Sequence, residues 1–269
     1  MTRPITFLSD YGLADEFVGV VHGVIARLSP EARVIDLGHG VPRQDVQAGA
    51  RMLERALPYT PAGVHLAVVD PEVGAARRAV AVRTQEEDRL LVGPDNGLLL
   101  PAAERFGGVV EAVEISASAW RLEPVSATFH GRDVFAPVTA RLAAGEPLAG
   151  AGAPLEAGEL VAVERSRPRL EGEALVAHVV AADTYGNAIL DATHAEMVES
   201  GLRLGDAVTA RTGGRRVRGV VARTFSDVAR GSLLLYEDAG GSLALAVNGG
   251  DAAALLGVRA GDEVRLEAA

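Results

Sequence analysis

The stretch Val68–Arg78, VVDPEVGAARR, is the part of the sequence that most clearly indicates the fold of the amino-terminal half of this chain. It begins inside Val64–Val69 (VHLAVV), a short apolar run rich in β-branched residues, which is typical of an interior strand of an α/β sheet. Asp70 then falls at the carboxyl end of that strand. Because open α/β sheets bind ligands outside this edge, the sequence predicts a site at Asp70.

The residues after Asp70 form a turn that carries two guanidinium groups. Pro71 lacks a backbone donor and fixes its own φ, so it ends the strand, and Gly74 allows the chain to turn back toward Arg77 and Arg78. Taken alone, this pattern also fits an ordinary loop ion pair between Asp70 and an arginine.

Strand-like and helix-like patterns alternate outward from this stretch. Strands are predicted at Ile5–Leu8, Val34–Leu37, Val64–Val69, Val80–Arg83, Leu90–Gly93 and Val109–Ile115. Helices are predicted at Phe17–Leu28, after an Asp45 cap, at Leu98–Phe106 and from His130 toward Leu142. This alternation predicts an α/β domain with a largely parallel central sheet and helices on both faces.

The composition changes at residues 145–169, where Gly, Pro and Glu occur without periodicity and mark a boundary. Short strands separated by Gly-Asp turns follow, with a spacing typical of a β-barrel or sandwich. One weak internal repeat, LRLGDAV at 202–208 and VRAGDEV at 258–264, indicates a turn that leads into a strand in both places. We therefore predict an α/β domain over residues 1–165 and a smaller β-barrel-like domain over residues 170–269.

Charge and composition exclude several classes of function. The chain has 269 residues and 48% hydrophobic content. Its formal net charge of −10 argues against binding to nucleic acid, which needs a basic surface, and against attraction to an anionic membrane surface. It has no cysteine, so disulfides, thiolate nucleophiles and cysteine-ligated metals are excluded. Neither a secretory signal nor an apolar run of the ~20 residues that a membrane span needs is visible. We predict a cytoplasmic protein.

The six histidines form no HxH or HExxH pair, which predicts no metal site. His22, His65 and His178 fit structural positions in a helix or in strands. His130 differs, because it lies between Phe129 and Gly131 where a strand-to-helix turn would expose its ring at the edge of the sheet.

Further motifs accompany VVDPEVGAARR in a fixed order: Ile5–Gly12 (ITFLSDYG), Pro94–Leu99 (PDNGLL), Thr128–Pro137 (TFHGRDVFAP) and Asp183–Asn187 (DTYGN). Together they resemble the S-adenosylmethionine (SAM) hydrolases, also called SAM hydroxide adenosyltransferases, which are relatives of the fluorinase and chlorinase enzymes. The resemblance extends over nearly the whole chain. It implies hydrolysis of SAM to adenosine and L-methionine by attack of water or hydroxide on the ribose C5′, without a cofactor or metal.

The resemblance assigns the water site to Asp70, Arg77 and His130. Halogenases have Tyr where this chain has Asp70 and lack the pairing of Arg77 with His130, whereas Gly131 alone would suit a chlorinase. A chlorinase-like halogenase and a non-catalytic SAM- or nucleoside-binding protein remain the alternatives. A SAM-dependent methyltransferase is disfavoured, because ITFLSDYG has a single glycine where that class has a Gly-rich loop.

The resemblance also implies a set of substrate-binding residues. These are Asp10, Tyr11, Gly131, Asp183, Tyr185, Asn187, Phe225, Asn248 and Gly249. Asp10 would hold the ribose, Asp183 the methionine ammonium and Asn187 the adenine edge. From the residues alone, Asp10 fits a cap or turn carboxylate, DTYGN an Asx turn with a packed ring, and Phe225 a core position.

One segment departs from the family. Where the halogenases have Ser-Arg before Gly at the methionine end, this chain has Ala239 and Gly240, so backbone groups would have to replace side-chain contacts there. The resemblance further implies a homotrimer whose active sites lie between the amino-terminal domain of one subunit and the carboxyl-terminal domain of its neighbour.

Overall fold

The computed structural model describes residues 2–269. It divides into two compact units, the first ending at Val163 and the second beginning at Glu164. Each unit has its own core of buried aliphatic side chains. The predicted linker at 145–169 is in part structured, because Ala153–Leu155 pairs with a strand of the first sheet.

The first unit contains one sheet and helices on both of its faces. Its strands are β1 Ile5–Ser9, β2 Val34–Gly38, β3 Val64–Val68, β4 Ala79–Thr84, β5 Leu90–Pro94, β6 Val109–Glu114 and β7 Ala153–Leu155. Its α-helices are α1 Phe17–Leu28, α2 Val46–Ala56, α3 Leu100–Glu104 and α4 Ala136–Ala143. As predicted, the Asp45 carboxylate caps α2, where it accepts a hydrogen bond from the Ala48 amide at 2.8 Å.

The sheet has the strand order β2-β1-β3-β5-β4-β6-β7. β1 is parallel to β2 and β3, β3 is parallel to β5, and the remaining neighbours are antiparallel. All strands except β4 and β7 therefore run in one direction, which confirms the largely parallel sheet. β4 and β5 pair across the charged QEED turn, as the sequence predicted.

Alternation along β3 explains why the sheet needs cover on both faces. Leu66 and Val68 pack into the core beneath α1 and α4, whereas Ala67 and Val69 pack into the core beneath α2 and α3. Successive side chains of a strand point to opposite faces, so an uninterrupted apolar run must be buried on both sides.

Helix α3 is shorter than the predicted span Leu98–Phe106. The Asn96 side chain accepts a hydrogen bond from the Leu98 amide at 3.2 Å, which keeps the chain in a turn until Leu100. Two successive glycines with positive φ, Gly107 and Gly108, follow the helix. The span predicted from apolar periodicity therefore included residues at both ends that lie outside the helix.

The second unit is a closed β-barrel with two short helices. Its strands are β8 Arg169–Glu171, β9 Ala174–Ala182, β10 Ala188–Thr193, β11 Ala207–Thr212, β12 Arg215–Val221, β13 Leu233–Glu237, β14 Ser242–Val247 and β15 Glu263–Ala268. Its helices are α5 His194–Glu199 and α6 Ala252–Leu256. The order β10-β14-β13-β12-β11-β15-β9 closes through the pairing of β9 with β10, and β8 is added outside on β9.

The two copies of the internal repeat, residues 202–208 and 258–264, have the same local structure. The amide of Arg203 donates to the Asp206 carboxylate at 2.8 Å, and the amide of Arg259 donates to the Asp262 carboxylate at 2.9 Å. Each Gly-Asp turn leads into a barrel strand, β11 or β15, so the predicted turn-into-strand repeat is confirmed.

His65 lies in a buried network on β3. Arg89 donates from Nη1 to His65 Nε2 at 3.2 Å, so the ring proton is on Nδ1 and faces Thr6 Oγ1 at 2.8 Å. Burial, together with the charge of Arg89, lowers the pKa of His65 to about 3. The histidine is therefore neutral in the folded protein at neutral pH, which fits the structural role predicted from the sequence.

This network should make stability depend on pH. Between pH 6.5, its ordinary pKa, and about 3, its pKa in the folded protein, His65 is protonated in the unfolded chain but neutral in the folded protein. The unfolded state then binds more protons, so the free energy of unfolding falls as the pH drops through this window. In urea titrations, the stability advantage of wild type over His65→Leu should shrink by about 2 kcal/mol between pH 7 and pH 5. An advantage that is equal at both pH values would contradict this assignment.

Candidate active site

The carboxyl ends of β1 and β3 bring two predicted site segments together. β1 and β3 are parallel neighbours with Ser9 opposite Val68, and the Asp10 amide donates to the Val68 carbonyl at 3.4 Å. Asp10 and Asp70 therefore leave the sheet at the same edge, the one at which open α/β sheets bind ligands.

Asp70, Arg77 and His130 form one continuous hydrogen-bonded chain. Arg77 Nε lies 2.9 and 3.0 Å from the two Asp70 carboxylate oxygens, and Nη2 donates to Asp70 as well. The same Nη2 lies 2.9 Å from His130 Nδ1. The side chains of Arg77 and Asp70 are only 4% and 5% exposed, so this pair is withdrawn from bulk water.

The arginine determines the tautomer and the charge of His130. A guanidinium only donates hydrogen bonds, so His130 Nδ1 accepts and the ring proton is on Nε2. Burial lowers the pKa of His130, and the positive charge of Arg77 lowers it further, whereas Asp70 and Asp133 act in the opposite direction. At neutral pH the ring is therefore neutral and presents an N–H group at Nε2.

One tight contact joins the turn after Asp70 to the loop before His130. Gly74 has φ of +80°, and a Cβ there would lie 2.3 Å from the Ala127 carbonyl oxygen. Only glycine allows this approach. Behind the turn, Asn96 Nδ2 donates to the Val69 carbonyl at 2.9 Å and holds the strand end that precedes Asp70.

The segment from His130 begins with a π-helical turn, Gly131–Phe135, that continues into α4. The buried Asp133 carboxylate accepts a hydrogen bond from the Ser126 amide at 2.8 Å and pairs with Arg132. Asp133 thus ties the loop before His130 to the turn after it. No role of Asp133 or Asn96 was predicted from the sequence, although Asp133 lies in the motif TFHGRD and Asn96 in the motif PDNG.

Tyr11 packs directly on Gly131. A Cβ at position 131 would lie 2.1 Å from the Tyr11 hydroxyl oxygen, and the Tyr11 ring makes an edge contact with Phe129 at 5.9 Å between centroids. Burial raises the pKa of Tyr11, and the charges of Asp10 and Asp70 raise it further. Tyr11 therefore stays a neutral hydroxyl group near both carboxylates.

Asp10 is half-buried and has one oxygen engaged. Its Oδ2 accepts a hydrogen bond from the Gln44 amide at 2.9 Å. This matches the turn carboxylate that the residues alone suggested, while Oδ1 is not used by that bond. Asp10, Tyr11, Gly131 and the Asp70–Arg77–His130 chain thus form one polar site on the first unit.

In the second unit, the predicted methionine and adenine residues of DTYGN bond to one another. Asp183 Oδ1 accepts from the amides of Tyr185 and Asn187 at 2.9 Å each, and Oδ2 accepts from Asn187 Nδ2 at 2.7 Å. The Asx turn suggested by the residues is therefore present. The ring of Tyr185 is 80% exposed, so the expectation of a packed ring was wrong.

The other two predicted segments of the second unit meet beside this turn. Asn248 Nδ2 donates to the Val228 carbonyl at 2.8 Å and so supports the loop that carries Phe225. Phe225 is 40% exposed, which contradicts a core position, and its ring lies 5.2 Å from that of Tyr236. Gly249 has φ of +72° in the adjoining turn.

The segment that departs from the halogenase pattern is a tight turn closed by a carboxylate. Asp238 Oδ1 accepts from the Gly240 amide at 2.8 Å and from the Ser242 amide at 3.1 Å. The Gly240 amide that would replace a lost side-chain contact is therefore engaged within its own turn.

Across residues 2–269, one group of side chains has the spacing of metal ligands: His22, Asp36 and His39, whose ligand atoms all lie within 4.8 Å of one another. The sequence pattern did not reveal this group, because its members come from α1, β2 and the loop after β2. None of them belongs to the Asp70–Arg77–His130 chain. Among the helices of the same residues, none combines the length and the apolar character needed to cross a membrane.

The chain thus combines an α/β unit, with an Asp–Arg–His chain at the carboxyl edge of its sheet, and a closed β-barrel that follows in sequence. The model of the SAM hydroxide adenosyltransferase N-terminal domain matches residues 5–152, and that of the C-terminal domain matches residues 177–265. The chain belongs to the SAM hydroxide adenosyltransferase family.

Individual relatives agree with this assignment. The chain is 51% identical to an (R)-S-adenosyl-L-methionine hydrolase of Salinispora tropica, over 98% of this chain and 97% of the relative. It is 28% identical to a fluorinase of Nocardia brasiliensis, over 98% and 97% of the two chains. An uncharacterized conserved protein from Thermotoga maritima has a crystal structure that superposes with a TM-score of 0.91 at 38% identity, covering 98% of this chain and 99% of that one.

Proposed function

We propose that this protein hydrolyses SAM to adenosine and L-methionine, by attack of a water-derived oxygen on the ribose C5′. The similarity to SAM hydrolases over nearly the whole chain supports the substrate. The observation that carries the chemistry is the Arg77 Nη2 group, which donates to Asp70 and also lies 2.9 Å from His130 Nδ1. This arrangement supports a site in which two donors, rather than a base, act on the reacting oxygen.

The difficult part of this reaction is the activation of water as a nucleophile. Methionine leaves as a neutral thioether and needs no general acid. Water has a pKa of about 15.7, so forming free hydroxide at pH 7 would cost about 12 kcal/mol. The protein must therefore favour negative charge on the water oxygen while the water loses its proton during attack.

The described bonds leave two donors for that task. Arg77 uses Nε and Nη2 for Asp70 and His130, so Nη1 is the guanidinium nitrogen that these bonds do not occupy. His130 adds its Nε2–H group. Donors fixed in advance stabilise developing negative charge on the water oxygen, and a pocket poor in water strengthens the attraction between hydroxide and sulfonium. Asp70 holds Arg77 in place, because both of its oxygens accept from that guanidinium.

The remaining residues are assigned to substrate binding. Asp10 and Tyr11 hold the ribose hydroxyl groups, since a carboxylate with one free oxygen and a neutral phenol can both engage a diol. Gly131 leaves room for Tyr11. In the second unit, the segments around Asp183, Tyr185, Asn187, Phe225, Asn248 and Gly249 contact methionine and adenine. Because Asp183 and Asn187 bond each other, they act first as the scaffold of their loop.

A product assay tests the proposal. Purified protein incubated with SAM in high chloride and EDTA should give equimolar adenosine and methionine, because the reaction uses neither halide, metal nor cofactor. Chromatography that finds SAM intact would indicate a binding protein, and 5′-chloro-5′-deoxyadenosine would indicate a chlorinase-like halogenase. Activity that is lost with EDTA and regained with zinc or magnesium would contradict the metal-independent reaction.

We further propose a homotrimer in which each site combines the first unit of one subunit with the second unit of its neighbour. Arg77→Ala and Asn187→Ala should each have only residual activity alone. Co-expressed in equal amounts, they should form mixed trimers in which roughly a quarter of the sites pair two intact units. Light scattering measures the number of subunits. With a different affinity tag on each variant, mixed trimers can be isolated and their activity measured. A fully active monomer, or mixed trimers without activity, would contradict the shared site. The cytoplasmic location remains a prediction.

A further inference from the structure

Three side chains on the β2 side of the first sheet point their heteroatoms at one small region. His22 Nε2 lies 2.9 Å from Asp36 Oδ1, and His39 Nε2 lies 3.1 Å from the same oxygen. The side chains of His22 and Asp36 are 34% and 43% exposed, so the group is open to solvent on one side.

His39 forms the buried end of the group, and one of its nitrogens has no partner. Its side chain is 3% exposed, and Nδ1 is engaged with Ser9 Oγ at 2.8 Å. Nε2 is buried and makes no hydrogen bond, although Asp36 Oδ1 lies 3.1 Å away. Leaving a buried polar group unsatisfied is unfavourable, so a species from solvent should occupy the space between Nε2, the carboxylate and His22.

We propose that His22, Asp36 and His39 bind one divalent first-row transition ion. The donors are two imidazole nitrogens and a carboxylate oxygen, a set that favours such ions over Mg²⁺ or Ca²⁺. The N···O separations of 2.9 and 3.1 Å are those of ligands about 2.1 Å from a shared ion and roughly at right angles. Three ligands leave further coordination positions of the ion open to water.

A supporting hydrogen bond orients the buried ligand. Ser9 Oγ, next to His39 Nδ1, fixes the plane of the ring, as the outer partners of metal-binding histidines do. Ser9 Oγ also accepts from the Tyr11 amide at 3.3 Å, and the His39 carbonyl accepts from the Gly12 amide at 2.7 Å. The ion therefore stabilises the anchor of the Asp10–Tyr11 loop, without being part of the reacting centre. This inference does not depend on the proposed hydrolysis.

The test is metal binding to untagged, chelator-stripped protein. Calorimetric titration with Ni²⁺ and with Zn²⁺ should show one equivalent bound per chain and a higher melting temperature, whereas Mg²⁺ should show neither. His22→Ala and Asp36→Ala should weaken binding by more than the ~10-fold that loss of a supporting hydrogen bond costs.

A matched control excludes binding by any exposed histidine. His194 is 61% exposed and lies 3.5 Å from Glu237, so it offers a surface histidine–carboxylate pair outside the group. His194→Ala should retain the single equivalent with wild-type affinity. Wild-type protein that takes up neither Ni²⁺ nor Zn²⁺ would overturn the proposal, as would His22→Ala and Asp36→Ala variants that bind like wild type.

Discussion

Replacing Arg77 with alanine should lower kcat by a factor of ~10² to 10⁴ and leave the affinity for SAM nearly unchanged. Arg77 bonds to both Asp70 and His130, so its loss releases the histidine and removes the positive charge that the proposed mechanism places next to the water. A group that acts mainly in the transition state affects the rate rather than the binding of substrate. Single-turnover rates and calorimetry with SAM separate the two effects.

Two variants sharpen the Arg77 experiment. Arg77→Lys keeps the positive charge but lacks the planar fork that pairs with both Asp70 oxygens, and donating to Asp70 and His130 would leave no ammonium hydrogen for the proposed water, so it should remain slow. Asp10→Ala removes the proposed ribose contact, which would be present before and during the reaction, so it should mainly weaken SAM binding. His130→Ala should resemble Arg77→Ala. If Arg77→Ala and His130→Ala reacted at the wild-type single-turnover rate and only bound SAM more weakly, the proposed mechanism would be wrong.

Asp70→Asn should cause a loss of kcat of comparable size, although it preserves the shape of the side chain. The amide has no negative charge to hold the Arg77 guanidinium, and its nitrogen cannot accept the Nε or Nη2 hydrogen bond. SAM affinity should again change little, because Asp70 contacts Arg77 rather than the substrate.

The same substitution should change the pH dependence in a defined direction. Protonation of His130 at Nδ1 would remove the acceptor of the Arg77 hydrogen bond. Under the proposed mechanism, the wild-type kcat should therefore fall only below the ordinary histidine pKa of 6.5, since burial and Arg77 lower the pKa of His130. The charge of Asp70 raises that pKa. Its removal should therefore shift the acid limb of the kcat profile to lower pH. An acid limb that moves to higher pH, or kcat that stays at the wild-type level, would contradict the role given to Asp70.

The sequence indicated which residues of the first unit would meet at one edge of the sheet, because strand ends and short motifs determine that edge locally. Asp70 follows an apolar strand with a proline directly behind it, and the parallel neighbour β1 brings Asp10 to the same edge. The contact of Arg77 with His130 joins residues that are 53 positions apart, and only the family resemblance indicated it.

Other features depend on tertiary contacts that no local pattern reports. Residues 153–155 contain alanine and proline rather than a strand pattern, yet they form the edge strand β7 because β6 offers free backbone groups. Asp183 and Asn187 were assigned to a ligand, but in the folded loop they bond to each other. The group of His22, Asp36 and His39 arises only when α1 packs beside β2.

The most direct test of the central claim is hydrolysis of SAM in water enriched in oxygen-18, with the products analysed by mass spectrometry. Attack of water on the ribose C5′ forms one carbon–oxygen bond and breaks the carbon–sulfur bond. The account therefore predicts one oxygen-18 atom in the 5′-hydroxyl group of adenosine and none in methionine. Unlabelled adenosine, or SAM that is bound but never cleaved, would contradict it.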